Sequence, residues 1–317
     1  RLSIISATKR SFLMVPAIAT ADLFNMDTIY NSEFSYSLPR SFLEKFGKGL
    51  GFDNTVEYTP DEIRDLKFDI MAIWKRIQSR ELAQSKEIVL TAGAPGVGKT
   101  LLERGMWEDQ DHSSPEFAYI CPDDVCLKEM EKTYRAMIEK DSSPEGMKAA
   151  YNKWRAASNY AHHIITANLI RQNQSFLFGT TASGPMTHLF LDFLKKNGYS
   201  IRILYVSAPD QVRFDSIAAR DKVFIQTTDQ DVLNKQLMVH ERVQDTFVKY
   251  ANRIDFLFRT GVDKAPKLAA IWIKNDEKGQ LEVVNQVAYD EMTALHDRVC
   301  DGMKKPEHHW ANTFPGN

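Results

Sequence analysis

The stretch Glu87–Leu102, EIVLTAGAPGVGKTLL, decides the fold that we expect for this chain of 317 residues. It opens with a short apolar run, EIVLTA, which is typical of a buried strand. The next eight residues, GAPGVGKT at 93–100, match the pattern G-x-x-x-x-G-K-[ST] of a phosphate-binding loop between a strand and a helix. The sequence therefore predicts a P-loop that holds the phosphates of a nucleoside triphosphate.

The residue types of this loop suit that chemistry. Gly93, Gly96 and Gly98 permit backbone angles that are closed to other residues, so successive N–H groups can surround a phosphate at the N-terminus of a helix. We expect Lys99 to contact the β- and γ-phosphates and the hydroxyl of Thr100 to contact Mg²⁺. The predicted nucleotide site is the contiguous set Gly93, Ala94, Pro95, Gly96, Val97, Gly98, Lys99, Thr100 and Leu101.

Four further apolar runs follow the loop and are separated by helical patterns. They are FAYI at 117–120, SFLFGT at 175–180, IRILYVSA at 201–208 and IDFLFR at 254–259. Short strands that alternate with helices predict right-handed βαβ units and a parallel sheet. We therefore expect an α/β fold, a three-layer P-loop sandwich with a mostly parallel central sheet of about five strands.

The segments outside this alternation predict the domain organisation. Residues 1–60 show no sustained periodicity and are interpreted as an N-terminal extension. Residues 61–262 form the predicted P-loop core, which opens with an amphipathic helix capped by Thr59. Residues 263–317 are predicted to form a hairpin, a helix from about Asn285 and a tail, all packed on the core.

Composition excludes several functional classes. The formal net charge of −2 lacks the basic excess that long nucleic acids or anionic membranes attract, and no apolar run is long enough to span a bilayer. Cys121, Cys126 and Cys300 show neither metal-site spacing nor a disulfide pattern, which favours a reducing compartment. The chain begins at Arg1, so we expect its natural start, with any export signal, to lie upstream.

Two carboxylates follow the second strand, in the sequence ICPDD that ends with Asp123 and Asp124. Because ligands bind at the carboxyl ends of parallel strands, a carboxylate there can take the proton of an attacking hydroxyl or hold a metal ion. Alternatively, Asp123 caps the helix that follows and Asp124 interacts with the dipole of that helix. Both interpretations remain open at this point.

The order of these elements resembles the zeta-toxin-like P-loop kinases over about residues 88–260. The shared elements are the P-loop, the strand ending in ICPDD, a helix containing Ser-Asn at 158–159, the strand FLFGTTASG, the strand ending in VSAP, and a later arginine. The resemblance implies an ATP- and Mg²⁺-dependent kinase. In it Asp123 deprotonates the acceptor hydroxyl, Lys99 and Thr100 bind phosphate and metal, and Arg220 clamps the transferring phosphoryl group.

The chain also departs from the family pattern, and the departures concern the acceptor. A second clamping arginine is absent at the usual spacing, which leaves Lys222 or Arg242 as alternatives. Two acids that hold the sugar in UDP-N-acetylglucosamine kinases are replaced by His163 and Gly179, which disfavours that sugar. The expected substrate-binding residues are Asp124, Asn159, His163, Thr180, Thr181 and Ser183.

The resemblance also suggests a biological role. It is greatest to a branch of secreted effectors of plant-pathogenic bacteria that phosphorylate NAD at the 3′-hydroxyl of its adenosine ribose, so NAD is the favoured acceptor. UDP-N-acetylglucosamine or polynucleotide phosphorylation and a non-enzymatic nucleotide-gated binding protein are the alternatives. An antitoxin or chaperone is an expected protein partner, and the expected location is a bacterial cytoplasm or, after secretion, a host cell.

Overall fold

The computed structural model describes residues 23–24, 56–110, 113, 115–184, 187–221, 229–275 and 278–314. Within these residues one sheet has the strand order β2-β3-β1-β4-β5-β6-β7, and β1 to β5 run parallel. This confirms the predicted parallel sheet. The strands are β1 (Glu87–Ala92), β2 (Ala118–Ile120), β3 (Phe176–Phe178), β4 (Ser200–Ser207), β5 (Arg253–Phe258), β6 (Lys267–Asn275) and β7 (Lys278–Val283).

Helices connect the parallel strands. From β1 the chain moves first towards one edge of the sheet and then back past β1 towards the other, so right-handed connections bring helices to both faces. The α-helices are α1 (Pro60–Gln78), α2 (Lys99–Glu108), α3 (Ala136–Lys140), α4 (Pro144–Arg171), α5 (Thr187–Lys196), α6 (Asp210–Asp221), α7 (Asp229–Arg242), α8 (Val248–Tyr250), α9 (Gln286–Gly302) and α10 (Trp310–Thr313). Wider π-type turns occupy Pro122–Leu127, Glu131–Arg135 and Val243–Phe247, and a 3₁₀ turn occupies Pro306–His308.

The first helix forms where its sequence predicts. The Thr59 side chain accepts from the N–H of Glu62, and the Glu62 carboxylate accepts from the N–H of Thr59, so both partners of a capping box are in place. Leu66 and Ile70 on its apolar stripe are fully buried. The helix therefore packs onto the core by the stripe that its three-to-four spacing predicts.

Strand β1 lies in the centre of the sheet, between β3 and β4. Its residues Ile88 and Leu90 are almost completely buried, as are Phe176 in β3 and Ile201 in β4. Strands with helices on both faces bury apolar side chains on both, which explains the unbroken apolar runs in the sequence. This central position brings the P-loop, at the carboxyl end of β1, to the middle of the sheet edge where α/β proteins bind ligands.

The C-terminal hairpin is part of the same sheet. Strand β6 pairs antiparallel with β5, and β7 pairs antiparallel with β6, so the hairpin extends the parallel sheet at one edge. Helix α9 follows with the Asn285 side chain as its cap, which confirms the predicted start. The domain boundaries at 60 and 262 stay predictions, and most of the extension 1–60 lies outside the described residues. No helix among the described residues is long and apolar enough to cross a bilayer.

Candidate active site

The P-loop between β1 and α2 has the backbone geometry that phosphate binding requires. Gly93, Gly96 and Gly98 have φ values of 145°, 85° and 97°. Residues other than glycine rarely adopt this region of backbone angles. At Gly93 an added Cβ would lie 2.3 Å from the carbonyl oxygen of Val206 in β4. The close approach of loop and neighbouring strand therefore requires glycine, and it directs the backbone N–H groups around a concave site.

Lys99 and Thr100 begin helix α2 at the end of this loop. The Lys99 ammonium donates to the carbonyl oxygens of Gly93 and Ala94, at 2.8 and 2.9 Å. Burial lowers the pKa of Lys99, and the nearby Glu103 carboxylate opposes that shift. Thr100 is exposed to the cavity beside the loop, and the Leu101 side chain is 61% exposed. Lys99 and Thr100, which are adjacent in the sequence, thus line the same cavity.

Two buried arginines support the loop from behind, and sequence reasoning missed both. Arg213 in α6 donates to the carbonyl oxygen of Pro95 at 3.3 Å, and Arg259 at the end of β5 donates to that of Gly96 at 3.3 Å. Both side chains lie almost fully buried. Because their donors are engaged with backbone carbonyls, they hold the loop in shape. A P-loop motif gives no signal for such distant supports.

A cavity of about 1000 Å³ extends from the P-loop to the ends of β2 and β3. The residues that line it include Lys99, Thr100, Asp123 and Arg220 of α6. The structure thus brings together the predicted phosphate, metal, base and clamp residues. We call the part around the P-loop the donor half, and the part lined by Asp123, α4 and the end of β3 the acceptor half.

The adjacent carboxylates Asp123 and Asp124 have different surroundings. The Asp123 side chain is 46% exposed and forms an ion pair with Arg155 of α4, at 2.7 Å from Oδ1 to Nε. Asp124 is buried and accepts from Arg104, Lys128 at 3.0 Å and Tyr119 at 3.1 Å. Burial alone would raise the pKa of Asp124, but the bonds from Arg104 and Lys128 outweigh it, and the pKa is lowered. Substrate contact by Asp124 stays a prediction, since its oxygens already have three partners.

The alternative interpretation of Asp123 as a helix cap is wrong. The helical segment after β2 begins at Pro122 as a wide π-type turn, with Cys121 in the cap position and no side-chain cap bond. The proline fixes the first residue of the turn and removes one N–H that a cap would have satisfied. Asp123 is therefore not required as a cap, and its carboxylate borders the cavity.

Arg155 is a functional candidate that sequence reasoning missed. Besides the ion pair with Asp123, its guanidinium donates to the Tyr151 hydroxyl at 3.1 Å, to Ser158 at 3.3 Å and to the amide oxygen of Asn159. Asn159 is thus a support for Arg155 in this structure, and its predicted substrate contact stays a prediction. The i, i+4 spacing of 155 and 159 on one helix was the available signal.

The loop after β3 joins the acceptor half to the P-loop. The backbone carbonyl oxygen of Thr181 accepts a hydrogen bond from the N–H of Gly93, at 3.1 Å. The Thr180 backbone exchanges two bonds with the hydroxyl of Thr91 in β1, and the hydroxyls of Thr181 and Ser183 lie 2.9 Å apart. The three predicted hydroxyl residues therefore lie together at the cavity wall, beside His163 of α4.

A buried carboxylate explains the glycine at position 179. Glu103 of α2 accepts from the hydroxyls of Thr91 at 2.5 Å and Tyr119 at 2.9 Å, and burial raises its pKa. A Cβ on Gly179 would lie 2.8 Å from the Glu103 carboxylate and 2.8 Å from the Cβ of Cys121. A larger residue at 179 would displace these groups, so packing accounts for this departure from the family pattern.

Arg220 lies in the last turn of α6 at the cavity, paired with Asp221 at 3.1 Å. Of the two alternatives for a second clamp, Lys222 lies outside the described residues, and Arg242 is not among the residues that line the cavity. Arg104, Arg155 and Arg259 are the further arginines that do line it. The identity of a second clamp stays a prediction.

The site fits Mg²⁺ held in part by phosphate and water. Thr100 offers an exposed hydroxyl at the helix start, with the Asp123 carboxylate across the same cavity. Among the described residues there is no cluster of three or more metal-binding side chains. Mg²⁺ in phosphoryl-transfer sites keeps several waters and uses one or two protein ligands plus substrate phosphates, so this arrangement is sufficient.

Comparisons with known proteins agree with this geometry. A family model described as "Zeta toxin" matches residues 72–267. The structure resembles the AvrRxo1-ORF1:AvrRxo1-ORF2 complex, with a TM-score of 0.54 and 12% identity over 87% of this chain and 90% of that chain. A form of that complex with ATP gives a TM-score of 0.51 and 10% identity, covering 81% and 86% of the two chains.

A second similar structure comes from the PezAT chromosomal toxin–antitoxin system of Streptococcus pneumoniae. Its TM-score is 0.51 at 12% identity, and the match covers 80% of this chain and 98% of that chain. No curated protein matches the chain by sequence. At these identities the structural likeness shows a shared fold, while the sequence match to the family model spans more than half of the chain.

Proposed function

The chain belongs to the zeta-toxin family of P-loop kinases, and from this premise we propose that it transfers the γ-phosphoryl group of ATP to a ribose or sugar hydroxyl of a nucleotide metabolite. The observation that carries the proposal is the cavity that the P-loop and Asp123 share. Its volume of about 1000 Å³ lies at the upper end of the range of about 300–1,000 Å³ that is typical of ligand sites.

The donor half binds ATP. The N–H groups of the loop Gly93–Gly98 surround the β-phosphate, and the Lys99 ammonium exchanges its backbone partners for β- and γ-phosphate oxygens. Thr100 would be a protein ligand of Mg²⁺, which would supply positive charge to the phosphates of ATP when bound. Arg220 contacts the γ-phosphoryl group from α6, where its planar donors match the phosphate oxygens.

The acceptor half activates the hydroxyl. Asp123 takes the proton of the acceptor O–H, and the oxygen forms a bond to the γ-phosphorus while the bond from that phosphorus to the bridging oxygen breaks. The products are ADP and a phosphorylated acceptor, and Asp123 passes the proton to water. Arg155 holds the Asp123 carboxylate towards the cavity, so the base meets the hydroxyl in a fixed position.

NAD is the acceptor we favour, at the 3′-hydroxyl of its adenosine ribose. Gly179 and His163 stand where UDP-N-acetylglucosamine kinases of this family carry acids, which argues against that sugar. The net charge of −2 argues against a long polynucleotide. The similar structure with bound ATP supports ATP as donor by analogy of fold.

A direct assay tests this function. The protein is incubated with ATP, Mg²⁺ and NAD, and mass spectrometry looks for a dinucleotide that has gained one phosphoryl group, with NMR to assign the modified hydroxyl. UDP-N-acetylglucosamine and an oligonucleotide with a free 5′-hydroxyl are parallel acceptors. Labelling of one of these without labelling of NAD would overturn the choice of acceptor, and labelling of none would overturn the kinase.

We also propose that the protein acts as a toxin or effector with a neutralising antitoxin or chaperone. Similar structures are those of a toxin–antitoxin system and of a two-protein complex. A kinase that depletes NAD would act where ATP and NAD occur, in a bacterial cytoplasm or in a host cell after secretion. Induced expression in bacteria should stop growth, and Asp123→Asn should remove that effect. Growth arrest that persists in the variant would contradict this role.

A further inference from the structure

Four aromatic side chains form one wall of the acceptor half beyond Asp123. We define the ring subsite as His162 and His163 of α4, Phe178 of β3 and Phe190 of α5, all of which line the cavity. The ring centres of His162 and Phe178 are 4.4 Å apart, those of Phe178 and Phe190 are 4.9 Å apart, and those of the two histidines are 5.3 Å apart. Three elements of the fold thus converge to present ring faces at one place.

The ring subsite carries no charge at neutral pH. Burial lowers the pKa of His163 to about 4, and the charge of Arg155 adds to the shift. Burial likewise lowers the pKa of His162 well below its usual value, with His163 and Arg155 as smaller causes. Each neutral imidazole keeps one donor and one acceptor nitrogen. The nearest opposite charges, Arg155 and Asp123, compensate each other in an ion pair.

The two histidines have unused hydrogen-bonding capacity. Nε2 of His162 and Nδ1 of His163 are enclosed and have no hydrogen-bond partner in the described part of the chain. Buried polar atoms are almost always paired, and an unpaired one costs free energy. Because both atoms are enclosed, a ligand would reach them only if neighbouring side chains moved, whereas the two histidine residues themselves line the cavity.

Helix α4 links this subsite to the reacting centre. Arg155, Asn159, His162 and His163 are spaced by four, three and one residues, which places them along one side of the helix. At 1.5 Å rise per residue, His163 lies about 12 Å along the axis from Arg155 and about 6 Å from Asn159.

We propose that the ring subsite binds the uncharged heteroaromatic base of the ribose whose hydroxyl faces Asp123. The inference rests on the proposed function, because the base belongs to the phosphoryl acceptor. A flat base can stack on Phe178 and Phe190, and its ring nitrogens and exocyclic groups match the free donor and acceptor of the imidazoles. A phosphate would find no charged partner among the four rings themselves.

Binding without turnover tests the subsite independently of catalysis. The chain is labelled with ¹⁵N in its histidine rings, and a non-hydrolysable ATP analogue with Mg²⁺ first fills the donor half. AMP, nicotinamide mononucleotide and ribose 5-phosphate are then titrated separately. We expect AMP to shift the ring signals of His162 and His163 and to bind at least about tenfold more tightly than the other two. Equal affinity for ribose 5-phosphate, or AMP binding without a histidine shift, would overturn the proposal.

Variants separate base binding from folding. His163→Ala should weaken AMP binding about tenfold and leave ribose 5-phosphate binding unchanged, since stacking and hydrogen bonding to one base have that magnitude. His163→Gln, which keeps neutral donors and acceptors, should recover part of the loss even if the alanine variant folds poorly. His309→Ala at the surface is the matched control and should bind AMP normally. An equal loss for both ligands in His163→Gln would contradict base recognition.

The two proposals fail in different ways. If AMP shifts the histidines but no nucleotide acquires a phosphoryl group, the kinase proposal fails while the ring subsite stands. If NAD is phosphorylated but His163→Ala changes KM equally for base-bearing and base-free acceptors, the kinase stands and the ring subsite fails. Preferential binding of nicotinamide mononucleotide over AMP would also overturn the proposal, since the proposal assigns the subsite to an uncharged base.

Discussion

The donor and acceptor halves of the cavity are built in different ways. The donor half is formed by the backbone of one contiguous loop, Gly93–Gly98, with arginines behind it that contact its carbonyl oxygens. The acceptor half is formed by side chains from β2, α4, β3 and α5 that meet in space. A site formed by the backbone of one loop can therefore be predicted from a short motif. A site formed by side chains of several elements depends on how those elements pack.

The largest effect should come from the acceptor half, at Asp123. Asp123→Asn keeps the shape of the side chain but removes the base, so kcat should fall by about 10²–10⁴-fold. ATP affinity should not change, because the donor half is intact. Asp192→Asn, which alters a surface pair with Lys196, is the control and should keep full activity. Full turnover in Asp123→Asn would contradict the proposal that Asp123 is the base that activates the acceptor hydroxyl.

Arg155 should give the next largest effect. Arg155→Ala removes the partner that orients Asp123, and kcat should fall about a hundredfold with little change in the KM for ATP. Arg155→Lys and added guanidinium should each restore part of the rate, which a mere folding defect would not allow. Arg135→Ala at an exposed pair is the control. Loss of ATP binding in Arg155→Ala would mean that Arg155 serves the donor half.

A backbone change at Gly93 should affect ATP binding and stability. Gly93→Ala would place a Cβ 2.3 Å from the Val206 carbonyl oxygen at a φ of 145°, so we expect a loss of about 1–3 kcal/mol in unfolding free energy and weaker ATP binding. Gly105→Ala in α2 meets no atom within 4 Å and should gain about 0.5–1 kcal/mol. Denaturant unfolding with and without ATP measures both. Unchanged ATP binding in Gly93→Ala would remove the steric argument for this glycine.

A further effect concerns pH and the acceptor half. The pKa of His163 is about 4 in the folded chain and near 6.5 when unfolded. Between those pH values the unfolded chain binds a proton that the folded chain does not. The unfolding free energy should therefore fall as pH falls from about 6.5 to about 4, by up to about 1.4 kcal/mol per pH unit.

Substitution of His163 should remove this contribution. The midpoint of denaturant unfolding at pH 7.5 and pH 5 should differ less in His163→Gln than in the unchanged protein, and His309→Gln is the matched control. The prediction fails if both variants keep the full pH dependence.

The sequence predicted the sheet and the first helix well because their signals are local. The apolar runs, the glycine spacing and the Thr59 cap are each properties of a few adjacent residues, and the structure confirms the strands and the first helix. The order of elements also indicated the family correctly. Local backbone preferences and the burial of strands on both sheet faces are enough to predict these strands and this helix.

The acceptor half was harder to predict because its contacts are distant in sequence. Arg155 pairs with Asp123 across 32 positions, and Glu103 approaches Gly179 across 76, so neither contact leaves a pattern in one sequence. Asp124 was expected to contact substrate, yet packing directs Arg104, Lys128 and Tyr119 to it. Arg259 was missed for the same reason, since its role depends on the position of β5 beside the loop.

The hydrogen bond from the N–H of Gly93 to the carbonyl oxygen of Thr181 connects the P-loop of the donor half to the loop after β3 in the acceptor half. If ATP adjusts the P-loop, this bond links the adjustment to the chain that borders the second substrate. Linkage then requires the influence to be mutual, so that each ligand changes the dissociation constant of the other by the same factor.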